Sequence, residues 1–154
     1  MKANLFAAAA WMLALPLLLV GCARGYDMTA NFLASDVPVY AIVGERLLSG
    51  RAVLYNDRTG SLTLDAKGET PVSCMGTLRY TATASGVVTL RCSDGVQAQF
   101  PFAALGEISG QGSGRTAQGG VSLAYGLDPE PARAWLTPPP GKRLVAGGDG
   151  LRLE

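Results

Sequence analysis

The chain carries three cysteines and no histidine. The missing imidazole excludes Ser-His-Asp and Cys-His machinery, histidine-bearing zinc sites and imidazole acid–base catalysis. Lysine and carboxylate are what is left for proton transfer. A serine with a lysine base would need Lys67 or Lys142; the first sits in a turn-forming stretch, the second beside Gly141 near the C-terminus. Asp57 and Asp65 flank an exposed stretch of turn residues, and Glu69, Asp94 and Asp128 have similar surroundings. Carboxylates in such places stay solvated, whereas a general acid or base needs a desolvated cleft. Cys74 and Cys92 are separated by seventeen residues, which is not the short spacing of paired metal ligands. These side chains predict no catalytic residue, no metal and no cofactor.

The third cysteine, Cys22, closes a different kind of stretch. Leu5–Val20 is sixteen residues without a charge, preceded by Lys2. A helix crossing the bilayer needs about 20 apolar residues, so the run is short for a span and suits a signal-peptide core. Leu19-Val20-Gly21-Cys22 resembles the lipobox of bacterial lipoproteins. The resemblance implies that residues 1–21 form a cleaved signal helix. It implies that Cys22 takes a diacylglycerol thioether and becomes the new N-terminus, bearing two or three acyl chains of the palmitate kind. Each buried CH₂ contributes about 0.8 kcal/mol, so such an anchor holds firmly. In the family an Asp after the cysteine often marks inner-membrane retention; Ala23 stands here, which implies the outer membrane of the cell envelope, facing the periplasm. In that oxidising compartment the remaining even pair, Cys74 and Cys92, is expected as a disulfide.

Removal of residues 1–21 leaves 133, enough for one domain. The mature chain would hold twelve basic and twelve acidic side chains, because Lys2 is the only charge removed. No basic stripe points to nucleic acid. Twenty glycines and only 16% charged residues are the composition of a turn-rich β protein.

The positioning elements follow from alternation. Residues 22–35 read as a tether, 36–136 as a β-rich domain, and 137–154 as a Pro/Gly-rich flexible tail. In the first strand Val37, Val39, Ala41 and Val43 alternate with Pro38, Tyr40 and Ile42, so both faces are largely apolar. Arg46–Tyr55 holds Gly50, a candidate bulge or bend, and Asn56-Asp57-Arg58-Thr59-Gly60 is a turn. Ser61–Asp65 alternates strictly. In Cys74–Ala82 the even positions face inward, as do Val88, Leu90 and Cys92 in the next strand. Setting Cys74 opposite Cys92 pairs Gly76 with Leu90 and Leu78 with Val88, so every inward residue meets another. A slip of one residue would turn the strand over. That register predicts a longer loop around Thr81–Ser85, and a bridge contributing about 3 kcal/mol. The same test on the next hairpin predicts a three-residue loop, Ser93-Asp94-Gly95, with Gly95 left-handed.

Gly110-Gln111-Gly112-Ser113-Gly114 has the glycine density of a phosphate loop without the strand–turn–helix context. It reads as part of a hairpin or bulged strand pair with Val121–Tyr125. Asp128-Pro129 opens a short helix, whose Ala132, Trp135 and Leu136 are expected to cap the open end of the domain. The fold expected is all-β: a small antiparallel barrel or sandwich, mostly a meander, of about seven or eight strands with a short C-terminal helix.

The function expected is a non-enzymatic binding, inhibitory or assembly module with an envelope protein as partner. Two alternatives accompany it. Cys92-Ser93-Asp94-Gly95 and Ser109–Gly114 resemble the Ser-Gly loops of small lysozyme-inhibitor lipoproteins, with Thr116 where those carry a tyrosine. A closed barrel could also carry a small apolar ligand, although Leu78, Val88, Leu90, Phe100 and Phe102 look sufficient to fill it.

Overall fold

Eight strands form the main sheet, most of them alternating inward apolar with outward polar residues: β1 (Ser35–Val43), β2 (Arg46–Leu54), β3 (Thr59–Ala66), β4 (Val72–Ala82), β5 (Ser85–Cys92), β6 (Gln97–Ala104), β7 (Gly110–Thr116) and β8 (Gly119–Tyr125). The computed structural model describes residues 34–154 apart from Lys67 and Glu69. The expected signal helix, Cys22 and all of the tether before Ala34 lie outside the described residues, as do Lys67 and Glu69. Each strand pairs antiparallel with the next, and β1 pairs with β8 through Val39–Tyr125 to Val43–Val121. The sheet is thus a closed barrel and has no sandwich split.

Register follows the inward faces. Cys74 pairs with Cys92, Gly76 with Leu90 and Leu78 with Val88. Leu90 pairs with Ala98 and Val88 with Phe100. The Ser93-Asp94-Gly95 loop is closed by Cys92 N–H donating to Val96 O at 2.9 Å, and Gly95 has φ 87°. The longer loop expected around Thr81–Ser85 is corrected. β4 runs on to Ala82, only Thr83 and Ala84 make the turn, and Thr81 is left without a partner. One bulged residue restores the facing that a longer loop was expected to restore.

The β6–β7 ladder has three rungs, from Ala104–Gly110 to Phe102–Gly112. The next position belongs to Pro101, which has no N–H to donate, and the ladder stops there. The glycines of β7 have a packing role. A Cβ on Gly110 would lie 2.5 Å from the Tyr125 hydroxyl oxygen, and one on Gly114 would lie 2.5 Å from Phe100 Cβ. Gly110, Gly112 and Gly114 share the inward face by the two-residue period. Their missing side chains make room for Tyr125, Phe102 and Phe100 inside the barrel.

The C-terminal part departs from expectation twice. Helix α1 (Pro129–Arg133) does not cap an open end. Ala132 and Leu136 pack against Ile42 and Ala124, on the outside of the barrel, while Trp135 stays 42% exposed. Residues 137–154, expected as a flexible tail, carry a hairpin, β9 (Leu144–Gly147) and β10 (Gly150–Leu153), whose Leu144 and Leu151 are buried in the same cluster. Arg143 and Glu154 close it with paired backbone hydrogen bonds of 2.8 and 2.9 Å. The cause lies in β1 and β8: Tyr40, Ile42 and Ala124 face outward, and apolar surface there is stabilised by a cover. Ser122, the one buried polar residue among those described, accepts the Thr137 N–H at 3.0 Å and fastens the crossing segment to β8.

Candidate functional site

Antiparallel pairing gives the barrel two ends. At the entry end β1 begins; the β2–β3 turn, the β4–β5 turn and the β6–β7 loop lie there, and β8 ends there. At the far end lie the turns β1–β2, β5–β6 and β7–β8 and the β3–β4 loop.

The Cys74–Cys92 disulfide is formed, with a Cα separation of 3.9 Å. It joins directly opposed residues near the far end, and Cys74 is fully buried. The acidic candidates are not brought together. Asp57 accepts Thr59 N–H and Oγ–H at 3.0 and 2.6 Å in the β2–β3 turn at the entry end. Asp65 lies toward the far end of β3 and accepts the Ser73 hydroxyl at 2.6 Å. Asp94 accepts Val96 N–H at 3.1 Å and pairs with Arg46. Asp128 uses its backbone oxygen, not its carboxylate, to start α1, accepting Ala132 N–H at 2.9 Å. Lys142 lines an open far-end groove with Glu45, Arg46 and Asp94. Each of these carboxylates sits on the outer surface or a turn, and those with partners hold turns, neighbouring strands or distant loops together.

The inside of the entry end is closed by aromatic rings. Tyr80 and Tyr125 come from β4 and β8, four strands apart and therefore across the barrel, and their hydroxyls lie 3.1 Å apart. Phe102 stands edge-on to both, with centroids 4.9 Å from Tyr80 and 6.0 Å from Tyr125. Burial, and then the Tyr80 hydrogen bond, push the Tyr125 phenol well above its ordinary range. Arg58, held in the left-handed region with φ 67°, lies over the Tyr80 ring at 5.0 Å. Its guanidinium donates to the carbonyls of Ala82 and Thr83, which ties the β2–β3 turn to the β4–β5 turn. This lid is held by a cation–π contact and two carbonyls. In the sequence, alternation puts Tyr80 on the inward face and Tyr125 at the end of the strand Val121–Tyr125. Alternation does not show that they meet, because strands far apart in sequence bring them together.

The two Ser-Gly segments lie apart. Ser93-Asp94-Gly95 is a far-end turn, whereas Ser109–Gly114 starts at the entry end and runs down β7. The barrel interior is occupied by one continuous cluster of side chains, from Val37 to Tyr125.

The ends differ most in what they expose. Tyr55, Leu105 and Ile108 are 40%, 43% and 46% exposed, and all three belong to entry-end connections. The other large apolar side chains exposed among the described residues, Met75 and Trp135, lie outside the barrel's connections, on the wall within β4 and after α1. Leu105 and Ile108 escaped the sequence reading; their signal was two large apolar residues inside a five-residue, glycine-bearing loop. No protein-family model, no curated protein and no solved structure matches this chain.

Proposed function

We propose that the protein is a lipid-anchored lipoprotein of the bacterial envelope, held at Cys22 in the outer membrane and presenting its barrel to the periplasm as a non-enzymatic binding, inhibitory or assembly module. One observation carries the reading: Cys22 follows Leu19-Val20-Gly21 at the end of a sixteen-residue uncharged run that begins at Leu5. The Cys74–Cys92 disulfide supports it, since disulfides persist in oxidising compartments. The polar inventory supports the non-enzymatic half, because the described carboxylates are exposed and several of them hold turns or surface pairs. Twelve residues separate Cys22 from Ser35, where β1 begins. Fully extended, the thirteen steps from Cys22 to Ser35 reach at most about 45 Å, so the anchor alone leaves the position and orientation of the domain free.

The test is the mass and partitioning of the mature protein. Wild type should enter the detergent phase, start at Cys22 and carry the mass of its acyl chains. Cys22→Ser should remain in the aqueous phase. A Cys22→Ser protein that still fractionates with membranes after a salt wash refutes the anchor. Affinity capture of the anchored protein from detergent-solubilised envelopes then identifies the protein partner.

A further inference from the structure

Among the described residues, every exposed large apolar side chain that lies in a connection between two barrel strands belongs to the end at which the chain enters the barrel. Tyr55 starts the β2–β3 turn, and Leu105 and Ile108 occupy the β6–β7 loop, four strands away around the rim. They flank the mouth from opposite sides. The far-end connections instead present Gly44, Glu45, Ser93, Asp94, Ala117 and Gln118.

We infer that the entry end is a lipid-facing surface: the barrel stands end-on to the bilayer, with Leu105, Ile108 and Tyr55 resting in the headgroup–acyl boundary. The inference depends on the anchor proposed above and adds the orientation that the anchor alone leaves free. Three observations favour lipid as the occupant. The chain that leads back to Cys22 leaves the barrel at this end. A domain tethered at that point meets the surface at high effective concentration, so a weak contact suffices to orient it. The side chains themselves are an aliphatic pair and a tyrosine, the kinds favoured where one part is apolar and the other wet. The Tyr55 hydroxyl already reaches Ser61 at 3.3 Å.

Charge plays little part. The entry-end connections carry Asp57, Glu107 and Asp128 against Arg58, so acidic lipid would gain nothing from them. The contact is apolar, present on zwitterionic vesicles and insensitive to salt. Beneath it the Tyr80–Phe102–Tyr125 lid closes the mouth, and the surface offered to the membrane is a plugged end and not an open one.

The experiment uses the full lipidated protein in phosphatidylcholine vesicles containing a fraction of brominated chains. With Cys22 acylated and Cys74–Cys92 bridged, an introduced cysteine is the single free thiol. Fluorophores are placed at Leu105→Cys, Ile108→Cys and, at the far end, Ala117→Cys. Labels at 105 and 108 should lose about half their emission, since interfacial side chains sit about 5–10 Å into the boundary. The label at 117 should keep its emission, and raising salt should change none of them. Flotation of the vesicles reports the anchor separately. Protein that floats but shows equal quenching at all three positions, or none at 105 and 108, overturns the end-on stance and leaves the anchor standing. Protein that does not float overturns both. Melting of each labelled variant at the wild-type temperature confirms that the loops tolerate the substitution.

Discussion

The barrel interior and the patch sealed on its outer wall are both apolar, and they are assembled from different distances along the chain. Inside, Leu62, Leu64, Leu78, Val88 and Leu90 come from successive hairpins, each strand lying beside its sequence neighbour. Outside, Ile42 of β1 and Ala124 of β8 are covered by Ala132, Leu136, Leu144 and Leu151 from the C-terminal region. The interior is enclosed by every strand, so a defect there is felt by the whole barrel. The outer patch rests on one short helix and one two-stranded hairpin, which are marginal without the wall beneath them. The two regions should therefore open as separate units, the outer one at lower free energy.

The strongest challenge is to the interior. Leu78 is fully buried between β3 and β5, and Leu78→Ala should lower unfolding stability by about 2–5 kcal/mol in a urea titration. A loss under about 1 kcal/mol would mean the interior is loosely filled. Removing the bridge with Cys74→Ser and Cys92→Ser, a sequence separation of 18, should cost about 3 kcal/mol. That loss belongs to the barrel, and the midpoint of the global transition is where it should appear.

Leu151→Ala tests the outer patch. It should cost about 2 kcal/mol, and the loss should be local. Hydrogen exchange should quicken in β9, β10 and α1 while β3, β4 and β5 keep their protection. Exchange that quickens equally everywhere would erase the distinction between the two regions.

The smallest effect concerns the lid. Tyr125→Phe breaks its hydroxyl contact with Tyr80 and should cost about 1 kcal/mol near neutral pH. Its clearer signature is at alkaline pH. Tyr125 has a raised pKa, so the folded protein keeps this proton after the unfolded chain begins to lose it near pH 10. The contribution is fully present below about pH 10 and is lost above it, by up to about 1.4 kcal/mol per pH unit for one phenol. Tyr40, raised by burial and then by Asp128, adds to the same limb. Tyr125→Phe should thus flatten the alkaline decline without abolishing it. An unchanged slope would show that Tyr125 does not titrate with unfolding.

Much of the interior was legible because alternation is a local property. The pairings of Cys74 with Cys92, Leu78 with Val88, and Leu90 with Ala98 follow from keeping inward residues opposite inward residues. The loop after β4 was misjudged for a related reason. A bulge at Thr81 and a longer loop restore the same parity, and facing alone does not separate them. The glycines of β7 were legible as a strand, but not as space for Tyr125 and Phe100, which arrive from β8 and β6.

By itself the sequence determined most strands of the barrel, their inward faces, the disulfide register and the lack of histidine chemistry, all of which depend on residue type and short spacing. It also displayed the unusual second apolar face of β1, in Tyr40 and Ile42, without saying what would cover it. Tertiary structure alone decided that Leu144 and Leu151 do so, that Tyr80 meets Tyr125 across the barrel, and that Tyr55, Leu105 and Ile108 share the end at which the chain enters. The physical reason is that burial is non-directional and indifferent to chain order. Closing a longer loop costs only about 0.6 kcal/mol more for each doubling of its length, so an apolar face can be covered from anywhere along the chain.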